Sequence, residues 1–428
     1  MKAWLSLSDW SLSWSLVLPL VWALPLAAAG AAQAQPRSNP RDGGAGAGSE
    51  LTPAALAKAL AGKPTGAGAT ELGARIRAWF GEEDLASGHG AKIEGQVVAF
   101  AILAPNAKEV SARSIDNFLE EPLLPVGTTG IWAGVATLSD GTAARFQYQV
   151  DGRRLGRLNV ETYTIHPESL PQRGVPKGRV LKQPPLESKV FAGTTRDWWI
   201  YVPAQYRAKK PAAVMVFQDG ERHYLPEVPT VFDNLIHKGD MPVTAAVFLN
   251  PGVFADGKRN RSVEYDTLSD AYARFVLEEV FPRVEKVVRL RKDPASRAIG
   301  GLSSGGICAF TAAWHKPDQF GKVLSWIGSF TNIASGASGR EGGHNYPALI
   351  RREPRKPIRV FLQDGDQDQD QRSGSWPLGN LAMERALTFA RYDFRMVWGH
   401  GFHSPRHGTA ILPDSLRWLW RDHKTVQR

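Results

Sequence analysis

The sequence predicts an α/β domain built on a mostly parallel sheet, preceded by a small β-sandwich. Two observations carry this. From residue 190 onward, apolar strand-like runs alternate with helical segments, the pattern of a parallel sheet covered on both faces. Between about residues 91 and 166 the apolar period drops to two, and the runs are short and broken by Gly and Pro, as in a sandwich. The size agrees. A chain of 428 residues exceeds one ordinary domain, and a hydrophobic share of 43% can fill two cores.

Residues 1–34 begin with Lys2, continue through a long apolar run and end in Ala32-Gln33-Ala34, a small-x-small cleavage pattern. A secretory signal peptide is expected there, and with it a periplasmic or secreted protein, an uncleaved membrane anchor being the alternative reading. No later stretch approaches the ~20 apolar residues of a spanning helix, so no membrane span is expected after cleavage. Residues 35–50, rich in Gly, Ala and Ser, are expected to be a flexible linker.

The region 51–170 begins with a helical stretch to residue 80 that puts Leu72, Ile76 and Trp79 on one face. In the sandwich that follows, Phe100 and Ile102 alternate with Ala99, Ala101 and Leu103. Phe146, Tyr148 and Val150 alternate with Arg145, Gln147 and Gln149, and stop at Asp151-Gly152, a hairpin turn pair. Nothing there has catalytic spacing, so a structural or substrate-orienting role is expected. Residues 171–189 are rich in Pro, Gly and Lys and are expected to link the two parts.

Residues 190–428 carry the α/β pattern. Strands are expected at Val214-Met215-Val216-Phe217, Ala245-Ala246-Val247-Phe248-Leu249, Val323-Leu324-Ser325-Trp326-Ile327, Arg359-Val360-Phe361-Leu362 and Met396-Val397-Trp398. Helices are expected near 271–284, 306–315, 381–390 and 415–420. In such sheets the chemistry lies at the carboxyl ends of the strands.

Composition excludes several classes. The single Cys308 allows no intramolecular disulfide and no cysteine-rich zinc site, and within its helix it reads as packing. The net charge is +10, and since Lys2 and Asp9 cancel, a chain without residues 1–34 keeps it. That balance favours anionic partners. With no nucleic-acid motif and no dense basic block, an anionic small substrate or an acidic surface is the expected partner rather than nucleic acid.

Gly301-Leu302-Ser303-Ser304-Gly305 fits G-x-S-x-G between a strand end at Ala298-Ile299 and a helix from Gly306. This is the pattern of a nucleophile elbow. Its glycines permit a tight turn that lifts Ser303 above the sheet at a helix N-terminus, with the Ser304 N–H aimed at a developing oxyanion. Such a serine needs an acid and then a histidine downstream. Asp364, Asp366, Asp368 and Asp370 alternate after one strand, and spacing alone does not choose among them; a solvated acidic loop or a cation-binding loop has the same composition. His400, His403 and His407 follow the next strand. One of them would take the serine proton and pass it to the leaving group.

These residues resemble a known family. Ile299-Gly300-Gly301-Leu302-Ser303-Ser304-Gly305-Gly306 is similar to the elbow of the enterochelin esterase and esterase D-like branch of α/β-hydrolases. Val216-Phe217-Gln218-Asp219-Gly220, Asn260-Arg261-Ser262-Val263-Glu264-Tyr265 and Gly401-Phe402-His403 resemble three further segments of that family. The front region resembles the early-set, immunoglobulin-like domain that often precedes such esterases. The resemblance implies an α/β-hydrolase domain and a serine carboxylic-ester hydrolase without metal or organic cofactor. It implies Asp368 as the acid, with Asp366 next, and His403 as the base. It also implies an oxyanion hole from Ser304 and from Gly220 or Glu221.

His407 departs from the family, which tends to carry tryptophan there. With Arg261, Glu264 and Trp376 it is a candidate substrate contact. Arg261 and Glu264 pairing with each other is the plainer reading, and Tyr265 and Trp326 are candidates for stacking or for core. The implied substrates are enterochelin-type siderophore esters, or feruloyl or acetyl esters on plant polysaccharide. A non-catalytic binding protein on the same scaffold is the remaining alternative.

Overall fold

The computed structural model describes residues 51–116, 119–334 and 341–423. The signal-peptide and linker readings of 1–34 and 35–50 lie outside them.

The expected helical stretch to residue 80 is two helices, Pro53–Ala61 and Gly66–Phe80, and a third, Glu82–Ser87, follows it. Thr52 caps the first, its Oγ1 accepting from Ala55 N–H at 3.1 Å, and Pro53 follows at the first turn, where its missing N–H costs nothing. The break falls at Gly62-Lys63-Pro64, where Lys63 has φ +45°. Leu72 and Ile76 are buried as expected, but Phe80 rather than Trp79 completes the buried face.

Two four-stranded antiparallel sheets form the sandwich. The strand Val97–Leu103 shows why its sequence lacks polar alternation. Val98, Phe100 and Ile102 enter the core between the sheets, while Ala99 and Ala101 lie under the three helices. Alternate side chains thus meet two different apolar layers, and the alanines let the helices come close. Asp151 and Gly152 both take positive φ, +47° and +78°, the geometry of a tight hairpin turn.

The second half is one eight-stranded sheet. Its strands are β1 Arg179–Lys182, β2 Trp198–Val202, β3 Ala213–Gln218, β4 Thr244–Leu249, β5 Arg297–Leu302, β6 Lys322–Trp326, β7 Arg359–Gly365 and β8 Asp393–Gly399. They lie in the order β8-β7-β6-β5-β3-β4-β2-β1, parallel from β8 to β4, with β2 antiparallel to both neighbours. Part of the segment read as a linker, 171–189, is therefore the edge strand β1. Its Val180 and Leu181 pair with Tyr201 and Ile200 of β2.

Strands buried on both faces explain the unbroken apolar runs. In β3, Val214 and Val216 pack beneath the helix Ser304–His315 and its neighbours. Ala213, Met215 and Phe217 pack on the other side, against Val228–Lys238 and Leu412–Leu419. No helix among the described residues is long and apolar enough to cross a membrane.

Candidate active site

Ser303 stands between β5 and the helix Ser304–His315 with φ +58° and ψ −123°, a backbone conformation that non-glycine residues rarely adopt. The turn closes because its flanks are bare. A Cβ on Gly301 would lie 2.3 Å from the Gly305 carbonyl carbon. Ser303 N–H donates to Trp326 carbonyl at 2.9 Å, which ties the elbow to β6, and the Ser303 carbonyl accepts the first helical N–H groups, from Gly306 and Ile307.

The Ser303 hydroxyl meets His403 Nε2 at 2.8 Å, and His403 Nδ1 meets Asp368 Oδ1 at 2.6 Å. The three side chains come from the carboxyl ends of β5, β7 and β8, and form one continuous line. The Asp368 side chain is fully buried, and that of His403 is 18% exposed. Asp368 Oδ1 also accepts the Gln369 N–H. Burial holds the His403 imidazole below its ordinary value, so the ring is neutral and able to accept a proton at neutral pH.

The alternating aspartates separate in space. Asp366 also meets a histidine, His400, at 2.7 Å, but with 38% and 70% of the side chains exposed. Asp370 is exposed in a short hairpin. Asp364 is wholly buried at the end of β7 and accepts the Gly365 N–H at 2.7 Å. The second oxygens of Asp364 and Asp368 are both buried and meet no nitrogen or hydroxyl donor. A proton held between them satisfies both. Burial, reinforced by the charge of Asp368, pushes Asp364 far above the carboxylate range and makes it the proton's holder. Burial raises Asp368 as well, and the hydrogen bond from Asp364 offsets only part of that rise.

Two further side chains touch the line. Ser329 Oγ lies 3.2 Å from Ser303 Oγ and accepts the Trp376 indole N–H at 3.1 Å. The Trp376 ring stands edge-on to His403 at 5.5 Å. Trp376 is 3% exposed, so it packs beneath the histidine rather than offering a platform to substrate.

Ser304 and Gly220 are the first residues of helices that leave the adjacent parallel strands β5 and β3. A Cβ on Gly220 would lie 2.5 Å from Phe248 Cβ, so only glycine fits the turn. Of the two candidate donors, the Glu221 N–H is already directed to Asn250 Oδ1, at 3.3 Å.

The loop candidates divide differently from expectation. Arg261 and Glu264 do not pair with each other. Arg261 clasps Asp219 with Nε and Nη2 at 3.0 and 2.6 Å, and its charge reaches His403. Glu264 forms a bidentate pair with Arg196, both side chains 0% exposed, and takes the Asn260 amide and Gly252 N–H as well. With every oxygen used and no surface, Glu264 holds the loop and does not contact substrate. His407 is likewise withdrawn. It is 7% exposed, lies flat on Tyr163 at 4.6 Å, and has Nδ1 3.2 Å from the Gln363 amide. Burial pushes it down to about 4. Tyr265 and Trp326 are core.

Sequence reasoning missed Ser329, and it named Asp364 and Asp219 without their roles beside Asp368 and Arg261. Each lies at or just after the carboxyl end of a parallel strand, and that position was the available signal.

An eight-stranded, mostly parallel sheet with a strained strand–turn–helix elbow at the end of β5 defines the class, a fold of the α/β-hydrolase type. The Esterase family model matches residues 190–403, half the chain, and the chain belongs to that family. An iron(III) enterobactin esterase of Dickeya dadantii (strain 3937) is 24% identical over 271 residues, 58% of each chain. That of Escherichia coli (strain K12) is 29% identical over 139 residues, 32% of this chain and 33% of the other. The chain thus spans less than two thirds of the curated relatives it matches. The crystal structure of an enterobactin esterase from Shigella flexneri in the presence of enterobactin covers 81% of this chain and 98% of its own. Its TM-score is 0.57 at 16% identity, a likeness of fold.

Proposed function

We propose that the protein hydrolyses carboxylic esters through an acyl-enzyme, with Ser303 as nucleophile, His403 as base and then acid, and Asp368 as the carboxylate that orients it. The observation that carries this reading is the unbroken line Asp368–His403–Ser303 at 2.6 and 2.8 Å on a strained elbow.

Ser303 Oγ attacks the ester carbonyl carbon as its proton passes to His403 Nε2. The carbonyl electron pair moves onto oxygen, where we assign the N–H groups of Ser304 and Gly220 as donors. Asp368 keeps the remaining proton on Nδ1 and stabilises the imidazolium. The adduct collapses, the bond to the alcohol oxygen breaks, and His403 returns the proton to that oxygen. Water repeats the sequence on the acyl-enzyme, releasing the acid and restoring Ser303.

For substrate we propose a ferric catecholate siderophore ester of the enterobactin type. The net charge of +10, the Arg261 charge near His403 and the names of the curated relatives support it. We read the sandwich as an immunoglobulin-like early-set module, on its two antiparallel sheets. The composition of residues 1–34 supports export, which protease accessibility in spheroplasts tests.

The experiment for the chemistry is p-nitrophenyl acetate hydrolysis by the purified protein beside Ser303→Ala. Turnover that falls to background in the variant is the expected result. Equal activity in the two overturns the assignment, and inactivity of both points to a binding protein. Ferric enterobactin, methyl ferulate and acetylated xylan, run in parallel, then separate a siderophore substrate from a plant polysaccharide ester.

A further inference from the structure

The loop that carries His403 is held from outside its own domain. Glu161, in the last sandwich strand Arg153–Thr162, is 4% exposed and reaches residues 241 positions away in sequence. Its Oε1 accepts the Phe402 N–H at 3.0 Å and its Oε2 accepts the Ser404 hydroxyl. These two bonds grip the residues on either side of His403. Tyr163 adds a third point, its hydroxyl donating to the His400 carbonyl at 2.5 Å while its ring lies flat on His407. Arg145, from another sandwich strand, sets its guanidinium 5.0 Å over the Phe402 ring.

The loop is shaped for this approach. A Cβ on Gly401 would come within 3.3 Å of Glu161 Oε1, and one on Gly399 within 2.5 Å of His407. The helix Arg406–Ala410 begins only after these contacts, so residues 400–405 have no regular structure of their own to fix them. A carboxylate that gives both oxygens to one short loop, and is itself shut off from water, is an expensive contact unless the loop's position matters.

We propose that Glu161 is a positioning residue for His403, so that the front domain completes the active site rather than merely preceding it. This rests on His403 being the base. Failure of that reading shows separately, as activity retained in Ser303→Ala and His403→Ala.

The test uses the full protein and p-nitrophenyl acetate, a substrate too small to need a second domain for binding. Since misplacing a reacting group by about 1 Å costs on the order of 10²-fold, Glu161→Ala is expected to lower kcat by ~10²-fold with KM within about 3-fold. Glu161→Gln keeps an acceptor for Phe402 N–H and offers an amide to Ser404, and is expected to recover most of the lost kcat. A Glu161→Ala protein with unchanged kcat overturns the inference, as does a change confined to KM or an equal loss in the Ala and Gln variants. Should Glu161→Ala fail to fold, Tyr163→Phe removes a single hydroxyl at the same loop. A lower kcat at constant KM then supports the inference, and an unchanged kcat overturns it.

Discussion

Replacing Asp368 by Asn and, separately, Asp366 by Asn makes the same chemical change at two nearby positions of one loop. Each aspartate holds a histidine Nδ1 at almost the same distance, 2.6 Å to His403 and 2.7 Å to His400. Only their surroundings differ. The Asp366 pair is largely in water, and such a pair is worth about 0.2–1 kcal/mol, so Asp366→Asn should leave kcat within about 3-fold. Asp368 is 0% exposed, and no water can take its place. An Asn amide turned toward Nδ1 drives the ring proton to Nε2, which then cannot accept the proton of Ser303. Loss of the correct tautomer in serine triads costs ~10⁴-fold in kcat, about 5.5 kcal/mol, and that is the expected fall for Asp368→Asn. Steady-state hydrolysis of p-nitrophenyl acetate, with melting temperatures as a folding check, measures both. A fall of more than about 10²-fold for Asp366→Asn, or of less than about 10-fold for Asp368→Asn, refutes the argument that burial rather than distance selects the acid.

Other outcomes follow from the same geometry. Because burial holds neutral His403 below its ordinary value, the acid limb of kcat/KM should fall below pH 6.5; a limb at or above that value contradicts the buried imidazole. Glu264→Gln leaves the Arg196 charge buried and unpaired, and should destabilise the fold by about 3–5 kcal/mol in a denaturant titration. A stable variant with only a raised KM restores Glu264 as a substrate contact. Asp364 has its folded pKa raised above its unfolded one, so the folded state binds the extra proton and wild-type stability declines as pH rises from the ordinary carboxylate range toward the raised value. Asp364→Asn removes that decline, and the melting temperature of the variant should gain on wild type between pH 5 and 8, at about neutral cost below. A constant difference across pH shows that Asp364 is ionised in the fold.

The sequence by itself determined the buried strands and the elbow. Parallel strands buried on both faces must be apolar throughout, and an elbow must be nearly free of side chains, so both leave local patterns around Val214, Ala245 and Ser303. The edge strand Arg179–Lys182 left no such mark, because one side of it is open and its composition reads as a linker. Resemblance to a family pointed to Asp368 and His403, whereas spacing left four aspartates and three histidines equal. Tertiary structure distinguishes them by burial, which places Asp368 in a dry line with His403 and Asp366 in water with His400. The same holds for the companions of the site. Glu264 turned inward to Arg196, Trp376 went under His403 to Ser329, and Glu161 arrived from the sandwich. Contacts between residues far apart in sequence follow from how the layers pack, and no local pattern records them.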